Sequence, residues 1–470
     1  MWTRRKFSKS LMGGGSALLT TATSDGFQSQ PPSPPPSAEQ QRLGLNHGGR
    51  TAFSSGFSAG QDIDLLIKGG TVIDPSQHLH AEMDVAIKNG KILELSKDIP
   101  ENRARGVLSA KTRIVTPGWI DLHTHCFDVD GYTVCRGADH YCLTRGVTTC
   151  VDCGSTGVAT IGPFVKYVIP ASVTRIYPLL HMGTGNATAP TTELTHHYRY
   201  GGRDLEFVNP ELTVKAVAEH RPPVVGIKVH LGEGAYDNVK DNEWRLLEMT
   251  AKTAEACQLP FMVHAIACYY STAQILKLFR KGDILTHCYH SYGLPNVILD
   301  GNGRILPEVR DARQRGVWFD TGDAHKEVDF DYIERALQQG FLPDSISTNL
   351  HADAEYDLVY DLATQVSRYM ALGISLDKAI ELVTSNPAQV FNYGVQIGTL
   401  RPGSEADVSV FELHEGKFVF SDGRDKKRTG HQMLVNTHVV CRGRLFSNKS
   451  VNFPTDPPWM YTASRKKQQV

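Results

Sequence analysis

The sequence predicts an α/β fold: a (β/α)8 TIM barrel with a small β-sandwich domain built from the N- and C-terminal flanks. Between residues 116 and 394, short apolar runs alternate with segments that carry helix signals. Eight such units in about 275 residues match the size of this barrel. Short strand-like runs lie on both sides of this region, and neither side has enough of them to bury a core alone.

Eight apolar runs are the predicted barrel strands. They lie near residues 117–125, 147–152, 175–181, 224–230, 260–265, 283–288, 316–321 and 344–349. Helix signals separate them: Asn209-Pro210 opens a helix predicted over 209–220, and Pro307 begins one over 307–315, because proline is favoured in the first turn of a helix. In such barrels the active site forms at the C-terminal ends of the strands.

The two flanks, residues 62–115 and 395–446, are predicted to form the β-sandwich together. In the first flank, Asn89-Gly90 separates two alternating runs and is typical of a two-residue hairpin turn. Pairing the flanks would tie down both ends of the barrel, residues 116–394.

Residues 1–25 resemble a bacterial twin-arginine export signal. The adjacent Arg4 and Arg5 precede an apolar, Gly-rich stretch that is too short to span a bilayer stably. Residues 26–60 are rich in Gln, Pro, Ser and Gly and are predicted to be a disordered linker, and residues 447–470 are assigned as a C-terminal tail. We therefore expect a folded protein exported to the periplasm, with no stable membrane span.

Composition narrows the classes of partner. The chain of 470 residues has a formal net charge of -1 and is 41% hydrophobic. It therefore has material for a large core but no electrostatic footprint for nucleic acid or an anionic membrane. We expect a small-molecule substrate. The composition does not distinguish a monomer from a homo-oligomer. Cys150-Val-Asp-Cys153 lacks a second pair, so it is weak evidence for zinc or redox chemistry.

His123-Thr-His125, at the end of the first predicted strand, is the most informative motif. Residues i and i+2 of a strand point the same way, so these two imidazoles can converge on one metal ion. Later runs close on further candidate ligands, namely Lys228, His264 and His287. A second His-x-His pair, His78-Leu-His80, lies among turn residues and is interpreted as a surface feature.

Several motifs together resemble the amidohydrolase superfamily, over about residues 62 to 446. They are Ile67-Lys-Gly-Gly-Thr-Val-Ile-Asp74, Val115-Thr-Pro-Gly-Trp-Ile-Asp-Leu-His-Thr-His125, Gly226-Ile-Lys228, Leu285-Thr-His-Cys288 and Gly398-Thr-Leu-Arg-Pro-Gly-Ser-Glu-Ala-Asp-Val408. Segments beginning at Leu306, Gly340 and Tyr360 are similar to the amidohydrolase/deacetylase branch, which has dihydroorotase-like relatives. That branch includes enzymes that remove acyl groups from N-acyl amino acids or acylated hydroxy acids.

The resemblance implies a binuclear metal site. In this superfamily a lysine of the fourth strand is carboxylated by CO₂ and bridges two divalent ions, and Lys228 occupies that position. His123 and His125 would then hold one ion, and His264 and His287 the other, with zinc as the expected metal. A hydroxide derived from water is the implied nucleophile.

The sequence departs from the family pattern at the end of the eighth strand. The family has a metal-binding, proton-relaying aspartate there, and this chain has Asn349. An amide oxygen can bind a metal ion, but a neutral amide cannot act as a general base. His351 and Asp353 are candidates to replace that base. His230, which shares a strand face with Lys228, is a candidate substrate-binding residue.

The sequence thus predicts a binuclear metal-dependent hydrolase that cleaves an acyl amide or ester bond. One alternative is hydantoinase- or dihydroorotase-like cleavage of a cyclic amide, although Phe127 stands where dihydroorotases carry an arginine. Another is a metal-bearing binding protein in which Asn349 impairs catalysis. Lys228 disfavours mononuclear deaminases, which do not use the bridging lysine. Three histidines that follow other strands stay unassigned: His181, His290 and His325.

We expect Arg4 and Arg5 to direct export. Residues 1–40 fused to a reporter should carry it to the periplasm, and replacing both arginines with lysine should block transport, because the signal is read through the arginine pair. Reporter activity in periplasmic fractions measures this, with Lys9→Arg as the control. Unchanged export of the double variant would contradict the assignment.

Overall fold

A computed structural model gives the fold. It describes residues 61–127, 137–183, 205, 208–232, 240–291, 295, 297–324, 327–351, 354 and 358–447. The predicted export signal, the whole predicted linker and nearly all of the C-terminal tail lie outside these ranges. Each helix within them is too short or too polar to cross a bilayer.

The strands and helices are given in chain order. The strands are β1 Ile63–Asp74, β2 Leu79–Lys88, β3 Lys91–Ser96, β4 Ala104–Ser109, β5 Ile114–Pro117, β6 Trp119–Thr124, β7 Val147–Cys153, β8 Arg175–His181, β9 Gly226–Gly232, β10 Phe261–Ile266, β11 Ile284–Leu285, β12 Trp318–Phe319, β13 Val408–Ser421, β14 Lys427–Cys441 and β15 Arg444–Ser447. The α-helices are α1 Ala138–Tyr141, α2 Ile161–Pro163, α3 Ile169–Ala171, α4 Pro210–Glu219, α5 Lys240–Cys257, α6 Thr272–Ile275, α7 Pro307–Gln314, α8 Phe330–Gln338, α9 Leu362–Ala371 and α10 Leu376–Glu381. A π-helical turn, Phe164–Val168, joins α2 to α3.

The two flanks of the chain share one eight-stranded sheet. Its order is β15-β14-β13-β5-β1-β2-β3, with β4 paired to β1. Strand β5 joins the flanks because it pairs with β1 in parallel and with β13 in antiparallel orientation. Val72, Val115 and Val408 from the three joined strands pack in one buried cluster. The flanks thus stabilise each other, and a two-layered sandwich stays a prediction.

Local signals in the sequence are confirmed in this structure. Asn89 and Gly90 form the two-residue turn between β2 and β3, with φ of 50° and 74°, as a type I′ hairpin turn requires. Asn209 caps α4 through its side chain, and Pro210 follows as the first helical residue. Pro307 likewise begins α7.

Seven parallel strands form the second sheet, in the order β12-β11-β10-β9-β8-β7-β6. Neighbours in this sheet are also neighbours in the chain, and every described pairing is parallel. The C-terminal ends of all seven strands therefore lie at the same edge. This edge holds the histidines and the lysine that the sequence singled out.

The eighth predicted strand, residues 344–349, is not a regular strand in the structure. It contacts both edges of the parallel sheet through single bridges, from Ser345 to Asp320 beyond β12 and from Leu350 to Thr124 in β6. The prediction of a regular strand there was wrong. The segment nevertheless lies beside the first and the seventh strand, and closure into a (β/α)8 barrel stays a prediction.

Backbone and side-chain groups share the hydrogen bonding of this segment. Backbone bonds join it to the seventh strand, for example from Asp344 N–H to the carbonyl of Phe319 at 2.8 Å, and side chains accept other donors. The backbone N–H of Ser347 donates to Thr321 Oγ1 at 2.9 Å, and that of Thr348 donates to Asp121 Oδ1 at 3.1 Å. These bonds satisfy buried backbone donors without a regular strand. Hydrophobic patterning reveals apolar runs, but it does not show whether a neighbouring carbonyl or side chain accepts each N–H.

The cysteines of the described residues are buried free thiols. All eight described cysteines are buried and none forms a disulfide. Cys150 packs in the cluster beneath the helices, whereas Cys153 packs in the cluster on the other side of β7. Three residues apart on a strand, the two thiols point to opposite faces. The C-x-x-C spacing therefore forms no site.

A buried ion pair fastens the parallel sheet to the flanking sheet. Arg175, the first residue of β8, contacts Asp407 with its Nε 3.0 Å from Oδ2, and its guanidinium also contacts Glu405. Asp407 is 2% exposed and accepts a further hydrogen bond from the backbone N–H of Arg442. Removing the arginine would leave a buried carboxylate without its cation.

We expect Arg175→Met to destabilise the protein by about 3–5 kcal/mol, because breaking a buried pair leaves an uncompensated charge. Urea unfolding measures the free-energy change. As a control, Lys215→Ala removes an exposed pair with Glu219 at 3.8 Å and should cost less than about 0.5 kcal/mol. Equal small losses in both variants would show that this pair does not hold the sheets together.

Candidate metal centre

The predicted ligands come together at the C-terminal edge of the parallel sheet. His123 lies in β6, Lys228 in β9 and His264 in β10. His125 follows β6 directly, and His287 lies two residues beyond β11. Except for partly exposed His125, these side chains are at most 5% exposed.

Short distances connect these side chains. The ring centroids of His123 and His125 lie 5.7 Å apart, those of His123 and His287 5.1 Å, and those of His264 and His287 4.5 Å. Lys228 Nζ lies 3.2 Å from His123 Nε2. The structure thus brings together the four histidines and the lysine that the sequence assigned to one site.

His287 has a defined tautomer. Its Nδ1 lies 2.7 Å from the carbonyl oxygen of Gly322, which can only accept, so Nδ1 carries the proton. Nε2 then keeps its lone pair, and this buried nitrogen has no hydrogen-bond partner among the described residues. A metal-binding histidine typically has this arrangement, with its second ring nitrogen donating to a backbone carbonyl.

His125 is oriented in a similar way from the neighbouring strand. Its Nδ1 lies 3.0 Å from Ser155 Oγ, just beyond β7. The backbone N–H of Ser155 donates to Asp152 Oδ1 at 2.9 Å, which fixes the loop that carries the serine. The second ring nitrogen of His125 is thereby left for a ligand.

Electrostatics favour neutral bases here. Burial lowers the pKa of His123, His125 and His287 well below the usual value, and neighbouring cationic groups lower it further. Burial also lowers the pKa of Lys228. Metal ions bind the deprotonated forms of such side chains.

Asn349 lies on the irregular eighth segment beside the first strand. It is 8% exposed and adopts a left-handed backbone with φ of 48°, which asparagine and aspartate tolerate better than most residues. Its side-chain oxygen is buried and has no hydrogen-bond partner among the described residues. The oxygen is therefore available as a ligand for a metal ion.

The remaining predicted residues lie near this group or outside the described ranges. The ring of His351 lies 6.5 Å from that of His125, and His230 stacks on His264 at 3.6 Å. Asp353, the second candidate base, lies outside the described residues.

The unassigned histidines differ in position. His181 ends β8, is 2% exposed and pairs in register with Lys228, so it faces the same side of the sheet. His290 is 3% exposed and lies three residues after His287. His325 lies outside the described residues.

The donor set fits metal ions only when Lys228 or Asn349 contributes. Within the described ranges, no three His, Cys, Asp or Glu side chains form a group that could hold an ion. Each predicted ion has two histidines, so a third ligand must come from an amide oxygen or a modified lysine. The side-chain oxygen of Asn349 is buried and has no hydrogen-bond partner among the described residues, so it fits the role of a third ligand. Nε2 of His287 is buried and unpartnered in the same way, as a histidine ligand would be before it binds an ion.

Residues that orient the ligands were missed at the sequence level. Ser155, Gly322 and Thr286 each contact a ring nitrogen of a predicted ligand. All three follow or end strands, but so do many small polar residues in the chain. Their contacts join different strands, and a single sequence carries no signal for that.

A cavity of about 840 Å³ lies elsewhere. His78 and His80 line it, both are exposed, and His80 Nδ1 lies 2.8 Å from Asp377 Oδ1. None of the predicted metal ligands lines this cavity. The convergence of buried ligating atoms at the sheet edge is stronger evidence for a chemical site than cavity size.

Comparison with known proteins identifies the family. The model of the amidohydrolase family matches residues 114–445. The chain is 30% identical over 390 residues to a deacetylase of Enterococcus faecalis, covering 82% of this chain and 100% of the relative. It is 28% identical to a deacetylase of Brucella anthropi, covering 74% and 83%, and 26% identical to a dihydroorotase of Aquifex aeolicus, covering 74% and 90%.

Solved structures show the same relationship. A crystal structure of an adenine deaminase has a TM-score of 0.73 and 29% identity, and covers 82% of this chain and 100% of its own. A dihydroorotase structure has a TM-score of 0.71 at 24% identity, with coverage of 82% and 97%, and it supports the fold alone. From the family match over most of its length and the deacetylase relative that it covers completely, the chain belongs to the amidohydrolase family.

Proposed function

We propose that this protein is a binuclear metal-dependent hydrolase that removes an acyl group from a small N-acyl amino acid or acylated hydroxy acid. The observation that carries the proposal is the convergence of His123, His125, His264 and His287 around the buried Lys228. The deacetylase relatives of Enterococcus faecalis and Brucella anthropi support the acyl substrate. The proposal includes closure of the parallel sheet by the eighth segment into a (β/α)8 barrel.

The proposed centre assigns one histidine pair to each of two ions. His123 and His125 would hold one, and His264 and His287 the other, with Lys228 between them as an N6-carboxylated bridge. When bound, such ions lower the pKa of a water molecule and polarise a substrate carbonyl. Zinc suits a set of imidazoles joined by a carboxylate-like group.

Lys228 is suited to this modification because its amine is buried among histidines. Its Nζ contacts His123 Nε2 at 3.2 Å and Met262 Sδ at 3.5 Å, and neither group compensates a positive charge. Addition of CO₂ to the neutral amine forms an N–C bond, releases one proton and gives an anionic carbamate whose two oxygens could bind metal ions. This would supply the third ligand that each histidine pair lacks.

Proton transfer must work differently from the family pattern. The amide of Asn349 cannot accept a proton from the attacking water and deliver it to a leaving group. His351, whose ring lies 6.5 Å from that of His125, is the first candidate for this transfer, and Asp353 is the second. His230, stacked on His264 at the same edge, would contact substrate.

Cyclic-amide hydrolysis is the second candidate function, and the dihydroorotase relatives favour it. Phe127 argues against the dihydroorotase form of it. This side chain is 3% exposed and packs on Phe164 with ring centroids 5.1 Å apart, so no cation stands there to bind a substrate carboxylate. A screen over N-acyl amino acids, acylated hydroxy acids and cyclic amides separates the candidates by which class is hydrolysed.

Metal content tests the centre directly. Protein purified without chelator should contain about two divalent ions per chain by elemental analysis, mainly zinc. His123→Ala should lower the content, and Lys228→Ala should lower it further because the bridge is lost. His78→Ala, in the exposed histidine pair, is the matched control and should change nothing. Absence of bound metal in the wild type would refute the centre.

Asn349→Asp tests the proton relay. Restoring a carboxylate at this position should raise kcat toward an acyl substrate by about 10²-fold, because a general base typically contributes 10²- to 10⁴-fold. Metal content should stay the same. Asn302→Asp, an exposed position, is the control for the added charge.

Two other outcomes of this experiment are informative. If His351 or Asp353 already serves as the base, the wild type should turn over, Asn349→Asp should add little, and removing that base should abolish activity. If wild type and Asn349→Asp both hold two ions yet hydrolyse nothing in the screen, the hydrolase proposal fails. A metal-bearing binding protein would then be the better description.

A further inference from the structure

A chain of buried hydroxyl and carboxyl groups stands behind His123. His123 Nδ1 lies 2.8 Å from Thr286 Oγ1, which lies 2.7 Å from Asp320 Oδ2. Asp320 Oδ1 in turn accepts from Ser345 Oγ at 2.6 Å. All four residues are at most 1% exposed. The chain passes from the first strand through the loop after β11 and the end of β12 to the eighth segment.

Counting protons shows which group donates and which accepts in each of these hydrogen bonds. The hydroxyl of Thr286 has one proton, and it lies within hydrogen-bond distance of both a ring nitrogen and a carboxylate. A carboxylate can only accept, so Thr286 donates to Asp320 and its oxygen accepts from Nδ1–H of His123. The other ring nitrogen, Nε2, then has a lone pair directed to Lys228 at 3.2 Å.

The surroundings of Asp320 support its role as acceptor. Its two oxygens accept from hydroxyl groups on different segments, Oδ1 from Ser345 Oγ at 2.6 Å and Oδ2 from Thr286 Oγ1 at 2.7 Å. Its Oδ2 also lies 3.6 Å from His123 Nδ1, so a carboxyl oxygen stands close to that side of the ring. A carboxylate in this position makes the opposite nitrogen a stronger metal ligand.

We propose that Thr286 and Asp320 are positioning residues that hold His123 in the tautomer protonated at Nδ1, so that Nε2 is available to a metal ion. This inference rests on the proposed metal centre for its purpose, but the tautomer itself is a property of the metal-free protein. His287 reaches the same tautomer through the carbonyl of Gly322, which no substitution can remove. The hydrogen bonds that join His123 to Thr286 and Asp320, here called the His123 relay, come from side chains and can therefore be tested by substitution.

Thr286→Val removes the hydroxyl at nearly constant shape, and Thr286→Ser retains it. The matched control is Thr250→Val. Thr250 is fully buried, and its hydroxyl donates to the carbonyl of Leu246 at 2.7 Å within α5. Thr250→Val therefore also removes one buried hydrogen bond, but at a position that does not contact His123, Thr286 or Asp320.

Ring-nitrogen NMR shifts of the metal-free full chain report the tautomer, with the His123 signals identified by their loss in His123→Gln. The wild type, Thr286→Ser and Thr250→Val should show a protonated Nδ1. Thr286→Val should show a mixture or the opposite tautomer. Its affinity for Zn²⁺, measured by competition with a chelator, should fall by about 10- to 100-fold, whereas the serine variant and the control should keep wild-type affinity.

The outcomes separate this inference from the proposed function. A wild type protonated at Nε2 of His123 contradicts the relay, even if Thr286→Val does not fold. Wild-type tautomer and Zn²⁺ affinity in a folded Thr286→Val variant contradict it as well. If the wild type binds no Zn²⁺ while the predicted tautomers are observed, the relay stands and the metal-dependent function fails.

Discussion

The burial of Lys228 is the constraint on which the proposed chemistry depends. Its amine lies among a histidine nitrogen and a methionine sulfur, at 3.2 Å and 3.5 Å, with the side chain 2% exposed. A lasting cation in that position would be costly, because a buried charge without a partner loses its hydration. The structure is therefore consistent with a neutral amine or with a modification that makes it an anion. Each histidine pair lacks a third ligand, and an anionic Lys228 would supply it to both.

The predicted ligands are oriented by neighbours in space rather than in sequence. Thr286 contacts the ring of His123, and Gly322 contacts that of His287, in both cases across adjoining strands. Hydrogen bonds of this kind select the ring nitrogen that carries the proton, so they decide which lone pair faces the site. Because parallel strands share one edge, each strand end can serve as ligand for the site and as support for the next ligand.

The segment that departs from the family pattern is also the irregular one. Asn349 lies where a regular eighth strand was predicted, and its left-handed backbone follows Thr348, whose hydroxyl donates to Asp121 at 2.6 Å. The carboxylate of Asp121 also accepts the backbone N–H of His123 at 3.2 Å. One buried aspartate thereby connects the first strand of the parallel sheet to the segment that carries Asn349. A substitution that moves the first strand should therefore also move the eighth segment, and the reverse.

The sequence by itself determined the strand and helix pattern, the type I′ turn at Asn89-Gly90 and the candidate ligands, because hydrophobic period, turn residues and strand-end histidines are local properties. The tertiary structure decided what depends on contacts between distant segments. It replaced the eighth strand by single bridges, separated Cys150 from Cys153 and supplied Thr286 as a partner of His123. Such contacts join residues far apart in the chain, here 163 residues for Thr286 and His123, and no local pattern encodes them.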